Sequence, residues 1–176
     1  MNTIKSKIRT IPDFPKQGIQ FRDITTLLQD PEGLAAVTKA LLARYSSKRL
    51  DVVVGIESRG FVMAAILAER LGLGFVPARK KGKLPYTTES QTYDLEYGTD
   101  TVEMHVDSIA KGMKALIVDD LVATGGTALA VCQLVEKLGG EVMEVSFIVD
   151  LPDLGGRKKI EAKGYKTHAL VQFEGE

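Results

Sequence analysis

Ala115-Leu116-Ile117-Val118-Asp119-Asp120 runs straight into Leu121-Val122-Ala123-Thr124-Gly125-Gly126-Thr127, and an apolar-periodic run then ends at Leu138-Gly139-Gly140. The opening is a continuous apolar run rich in branched residues, the pattern of a strand buried on both faces. Beyond the glycines, Ala128, Val131, Leu134, Val135 and Leu138 have helical spacing, with a Gly just past the end. The stretch predicts a strand, a small-residue loop and a helix, with two acids at the carboxyl end of the strand. In open α/β sheets ligands bind at that edge, and a helix N-terminus offers unpaired N–H groups and a positive dipole end to a phosphate.

Neither familiar phosphate loop matches. A Walker A loop carries Lys after its last Gly, whereas Thr127 follows Gly126, and the Gly-x-Gly-x-x-Gly pattern is missing. Side chains alternate along a strand, so Asp119 and Asp120 face different ways while it persists. They suit different tasks, one gripping sugar hydroxyls and the other organising the loop or a metal. A plain tight turn capped by Asp120 fits the same residues, and the motif alone leaves both readings open.

Working outward, the elements alternate. Asp30-Pro31 is a helix start, with Leu34, Val37, Leu41, Leu42 and Tyr45 as the apolar stripe. Strands are expected at Asp51 to Ile56, Gly74 to Ala78, Thr101 to Val106, Glu141 to Val149 and Thr167 to Phe173. Phe61 to Leu71 reads as a helix stopped by Gly72, and Leu154 to Ala162 as a short one. This alternation predicts an α/β fold, a single domain over residues 1–176 with a mostly parallel central sheet flanked by helices.

Two further segments carry chemistry. Val52 to Ile56 leads into Glu57-Ser58-Arg59-Gly60, a second strand-to-helix turn where Ser58 and Arg59 offer donors to an anion. Arg59 as an ordinary surface charge is the competing reading. Arg79 to Asp100 opens with Arg79, Lys80, Lys81 and Lys83 and is too polar for a core, so it reads as a long functional loop or a solvated hairpin.

Composition narrows the class. The 176 residues are 44% hydrophobic, enough for one sizeable core. Lys plus Arg and Asp plus Glu stand at 23 each, which gives no basic field for a nucleic acid. One Cys excludes an internal disulfide, and neither a secretion signal nor an apolar run of bilayer length is present. A soluble, cytoplasmic protein with no membrane partner is expected. His105 reads as a solvent-facing strand residue, His168 has no metal-ligand spacing, and Cys132 and Met63 read as apolar bulk.

Asp119-Asp120 with Ala123-Thr124-Gly125-Gly126-Thr127 resembles the phosphoribosyl diphosphate (PRPP) signature of the type I phosphoribosyltransferases, and its wording is closest to the adenine-specific branch. The likeness runs from Phe14 to Leu151 in four segments in order. It implies that Ala123, Thr124, Gly125, Gly126 and Thr127 hold the 5′-phosphate and that Asp119 and Asp120 bind the ribose hydroxyls. Ser58, Arg59, Arg79, Lys80 and Lys83 match diphosphate contacts, with a cis peptide at Glu57-Ser58 and Arg79 serving a neighbouring subunit. Phe14 to Asp23 resembles a small hood (within residues 1–30) over the base, with Gln20, Phe21 and Arg22 binding adenine. Residues 79–100 resemble a mobile catalytic loop. Glu96 there matches the acid/base and Tyr97 the flap-closing aromatic, and Arg59 joins them as a catalytic cation.

The same resemblance implies transfer of the phosphoribosyl group from PRPP to adenine in AMP salvage, Mg2+ held mainly through PRPP rather than by direct metal ligands, and a homodimer. Ala123 stands where the 6-oxopurine enzymes carry an acid, which favours adenine over hypoxanthine, guanine or xanthine. A non-catalytic purine or PRPP sensor is the rival from another class, disfavoured by the absence of a spare DNA-binding segment or basic excess.

Overall fold

The computed structural model describes residues 2–95 and 98–175. A short helix, α1 (Asn2–Ser6), leads into β1 (Arg9–Pro12) and β2 (Gln20–Asp23), which pair antiparallel with Ile11 opposite Phe21. Asp23 joins β2 to α2 (Thr25–Gln29). Its Oδ1 accepts from the Thr25 amide at 2.9 Å and the Thr25 hydroxyl at 2.6 Å, and its Oδ2 accepts from Arg9 Nη2 at 2.5 Å. The Thr25 hydroxyl, then Arg9, hold the Asp23 carboxyl down at about 2. α3 (Pro31–Tyr45) begins as its sequence predicts: Pro31 opens it and Asp30 Oδ2 accepts from the Gly33 amide at 2.8 Å.

β3 (Val52–Ile56) is buried at every position and feeds α4 (Gly60–Leu71), which Gly72 ends in the left-handed conformation. After β4 (Gly74–Lys80) come β5 (Thr88–Asp94), β6 (Thr99–His105) and β7 (Lys114–Val122). Then α5 (Gly126–Lys137), β8 (Glu141–Asp150), α6 (Gly156–Glu161) and β9 (Thr167–Gln172) complete the chain. The main sheet has the order β5-β6-β4-β3-β7-β8-β9, and β4, β3, β7, β8 and β9 run parallel.

Strand alternation divides the interior into two cores. Val52, Val54, Ile117 and Phe147 pack with Val131 and Leu134 of α5. Val53, Leu116 and Val118 pack with Leu41 of α3 and Met63 and Leu67 of α4. Each such buried side chain contributes about 1.5–3 kcal/mol, so helices on both faces hold the sheet. The carboxyl ends of β3 and β7 consequently open at one rim.

Three expectations are corrected. The segment from Arg79 to Asp100 is not a structureless loop: β4 continues to Lys80, and β5 and β6 form an antiparallel hairpin beside it. Main-chain pairing, to which polar composition is indifferent, supplies the order there. Leu154 to Ala162 is broken by Gly155 into a 3-10 turn (Pro152–Leu154) and α6. β6 does not alternate, because Val102, Glu103 and Met104 are all buried. Its His105 is half-buried, in edge contact with the Tyr86 ring at 6.0 Å, rather than solvent-facing.

Candidate active site

Near its carboxyl end β7 carries Asp119 and Asp120 at the rim; it runs on to Val122, and the chain then turns through Ala123, Thr124 and Gly125 into α5. Gly125 stands at the N-cap with φ 77, and no side chain caps the helix. The amides of its first turn therefore point at a small cavity of about 120 Å³ lined by Asp119, Thr124, Gly125, Gly126, Thr127 and Phe147. Uncapped amides and the dipole end make it an anion cradle. Asp119 and Thr127 also line the adjoining cleft of about 620 Å³, together with Ser58, Arg59, Lys80 and Asp120.

The two acids are held unequally. Asp119 Oδ1 accepts from the Asp120 amide at 2.8 Å, while Asp120, only 5% exposed, pairs with Arg59 Nε at 2.8 Å through Oδ2. Burial pushes both carboxyls above their ordinary range. The Asp120 charge lifts Asp119 further, and Arg59 opposes the rise at Asp120. Two adjacent acids share one guanidinium, so the cleft is short of positive charge.

The β3-to-α4 turn faces them. Its Glu57-Ser58 peptide is cis. Glu57 turns back to β4: Arg79 Nε and Nη2 donate to its two oxygens at 3.1 Å each, and the Lys80 amide donates at 3.0 Å. Arg79, then the Lys80 amide, hold the Glu57 carboxyl down despite its partial burial. Lys80 reaches Asp100 Oδ2 at 3.3 Å inside the cleft.

The hood meets this turn through Arg59, whose guanidinium carbon stands 5.6 Å from the centre of the Phe21 ring. Phe14 packs edge-on against Phe21 at 5.1 Å. One cation thus reaches both the buried acid of β7 and the aromatic ring of β2.

A family model described as phosphoribosyl transferase domain matches residues 23–174. The adenine phosphoribosyltransferase of Nitrosospira multiformis is 58% identical over 172 residues, covering 98% of each chain. The chain belongs to the adenine phosphoribosyltransferase family. The crystal structure of the Rhodothermus marinus adenine phosphoribosyltransferase has a TM-score of 0.92 and 52% identity with this phosphoribosyltransferase, over 98% of this chain and 97% of that one. The Saccharomyces cerevisiae adenine phosphoribosyltransferase, solved in complex with D-DIAB and adenine, gives 0.90 and 37%, over 97% of each chain.

The residues expected to act in this transferase are not all gathered. Ser58, Arg59, Lys80, Asp119, Asp120 and the residues from Ala123 to Thr127 line the two cavities. Arg79 instead grips Glu57 and donates to Lys83 O at 3.0 Å, and neither Arg79 nor Lys83 lines the cleft. Arg22 lies on the opposite side of β2 from Phe21 by strand alternation, donating to Thr10 Oγ1 at 2.7 Å and covering the Phe173 ring at 4.6 Å. Gln20 shares the Arg22 side. Glu96 and Tyr97 lie outside the described residues.

Sequence reasoning missed Tyr93, Glu57 and Asp100. Thr127 Oγ1 donates to Tyr93 Oη at 3.0 Å, and Tyr93 Oη donates to Asp100 Oδ2 at 3.3 Å. This fastens the hairpin over the mouth of the cradle. No local pattern links residues 34 positions apart, so only the register of β5 could reveal the contact. Among the described residues no cluster of His, Cys, Asp and Glu is built for a metal ion, and no helix is long and apolar enough to cross a membrane.

Proposed function

We propose that this chain transfers the 5-phosphoribosyl group of PRPP to adenine, producing AMP and diphosphate in a purine-salvage reaction. One observation carries the reading: the uncapped start of α5 sits directly after Asp119 and Asp120, while Arg59 links that acid pair to Phe21. Phosphate cradle, diol acceptors, cation and stacking ring thus fall in the order phosphate, sugar, base.

In the reaction the bond from the anomeric carbon to the diphosphate oxygen breaks, and a purine ring nitrogen forms the new bond there. The first-turn amides from Thr124 to Thr127 hold the 5′-phosphate, and Asp119 and Asp120 accept from the ribose hydroxyls. Ser58, Arg59 and Lys80 face the departing diphosphate, where preorganised charge lowers the barrier. Glu96 exchanges the proton of the purine nitrogen, and Tyr97 and the β5–β6 hairpin exclude water. Phe21 stacks on adenine, and Ala123, lacking an acid, leaves the 6-oxopurines unserved.

The acid pair, short of positive charge, fits a magnesium ion arriving with PRPP. Asp119 and Asp120 would face it through the sugar, and the ion would supply neutralisation of the leaving diphosphate. Gln20, Arg22, Arg79 and Lys83 enter this reading from the resemblance: the first two at the base, the last two at the diphosphate, Arg79 across a homodimer. Val62 and Phe75, both exposed apolar side chains, give such a dimer surface to cover. A soluble, cytoplasmic enzyme fits the balanced charge and lone Cys.

The test is incubation with magnesium, PRPP and each purine in turn, measuring diphosphate release. Release with adenine alone is expected. Binding without turnover would establish a sensor, and turnover of hypoxanthine, guanine or xanthine but not adenine would overturn the base assignment.

A further inference from the structure

Gly156, the first residue of α6, reaches the phosphate cradle from behind. Its amide donates to Ala123 O at 3.0 Å, so the start of α6 is spent on the turn that follows β7. There is no room between the two segments. A Cβ on Gly156 would overlap the Ala123 oxygen and stand 2.8 Å from both the Gly125 nitrogen and Val122 Cγ2. The closeness is mutual, because a Cβ on Gly125 would stand 2.7 Å from Gly156 O and 3.1 Å from its Cα. Two bare backbones therefore touch where any side chain would hold them apart.

The segment carrying Gly156 is tied at both ends. Upstream, the Leu151 amide donates to Val122 O at 3.1 Å. Downstream, Arg157 donates through Nε to Thr167 Oγ1 at 3.0 Å, through Nη1 to Asp150 Oδ2 at 3.4 Å and through Nη2 to Glu161 Oε1 at 3.2 Å. Asp150 is 2% exposed and also accepts from Gln172 Nε2 at 3.1 Å. A wall anchored in this way does not yield when the loop leans on it.

We propose that Gly156 is a positioning residue for the 5′-phosphate. By backbone contact it sets where the amides from Thr124 to Thr127 stand, and Arg157 holds the brace in place. The inference rests on the reading of that loop as the 5′-phosphate cradle and deepens it, since none of the residues touching ligand in that reading lies on α6. Donors aimed at a phosphate lose much of their worth when shifted by a fraction of an ångström.

Three variants test it: Gly156→Ala, Arg157→Gln, and Gly140→Ala as a milder clash, mainly against side-chain ends, far from the cradle. At Gly140 a Cβ would meet Ile109 Cγ2 at 2.7 Å and Val135 Cγ1 at 3.0 Å. Steady-state rates are measured with PRPP and adenine varied separately, alongside melting temperatures. Gly156→Ala is expected to raise KM for PRPP about tenfold or more while leaving KM for adenine unmoved. Arg157→Gln should move KM for PRPP the same way by less, and Gly140→Ala should lower the melting temperature alone. Should Gly156→Ala not fold, Arg157→Gln carries the test. An unmoved KM for PRPP overturns the proposal, as does an equal rise in Gly140→Ala. A wild-type protein without turnover overturns the functional reading and this inference together, so the two failures are told apart by the wild-type rate.

Discussion

Arg59 Nε lies 2.8 Å from Asp120 Oδ2, and that single ion pair fixes the orientation of the cation at the centre of the cleft. Asp120 is buried on β7 while the Arg59 side chain is 39% exposed, so the acid is the better-held partner of the pair. The far side of the guanidinium then reaches the Phe21 ring. Lys in its place would keep the charge but not the planar fork that serves both neighbours. Arg59→Lys is expected to lower kcat/KM by about 10²–10³-fold, the scale for removing one preorganised donor. Initial rates of diphosphate release check it. A loss below tenfold would remove Arg59 from the reaction.

Asp119 and Asp120 cost stability for the sake of the site. Burial raises the Asp119 carboxyl above its ordinary 3.8, so the folded chain holds a proton there that the unfolded chain has released. Folding stability is therefore lost as pH rises above 3.8 through the raised folded value. Asp119→Asn keeps an oxygen for the Asp120 amide and removes the charge. It is expected to raise the melting temperature at pH 7 by about 2–4 °C, what 1 kcal/mol gives in a chain of this size, while activity falls. Calorimetry at pH 7 decides; a fall in melting temperature would refute the assignment.

Glu144 shows the opposite sign far from the cleft. Burial pushes its carboxyl up, but Arg44, donating at 2.8 and 2.6 Å, and Lys48 at 3.5 Å outweigh burial and hold it at about 2. Its folded value lies below the ordinary 4.5. The stabilisation is present above that pH and lost as pH falls toward 2. Glu144→Gln should cost about 1.5–3 kcal/mol at pH 7, because Arg44 loses a charge-assisted pair of hydrogen bonds but stays partly in water. Urea midpoints of both proteins at pH 7 and pH 3 test the pair: the gap between them should narrow at the lower pH, and an equal gap would count against it.

Glu96→Gln tests the proton-transfer role proposed for Glu96. Turnover should fall by about 10²–10⁴-fold, with little change in the affinity for PRPP. Rapid-quench rates together with PRPP titration separate the two effects, and full turnover in the variant would remove Glu96 from the mechanism.

The elements flanking the site were readable because each depends on local chain geometry. Asp30 and Pro31 start α3, Gly72 stops α4, and the run from Ala115 to Val118 is apolar because helices cover both of its faces. The β5–β6 hairpin was one of two readings, loop or hairpin, between which the sequence did not choose. Its strands carry Thr, Ser, Gln and Asp, and what orders them is a partner strand, which no composition announces.

By itself the sequence determined the alternation of strands and helices, the acid pair at the end of β7 and the uncapped glycine turn, since strand period, helix caps and left-handed φ are set by neighbouring residues. Only the tertiary structure decided how the charges were shared. Arg59 went to Asp120 while Arg79 went to Glu57, and Arg22 went to Thr10 and Phe173, away from the cleft. It also decided that a bare Gly156 backs the turn. A cation takes whichever partner the packing brings within about 4 Å, and that proximity is a property of the folded chain rather than of its order of residues.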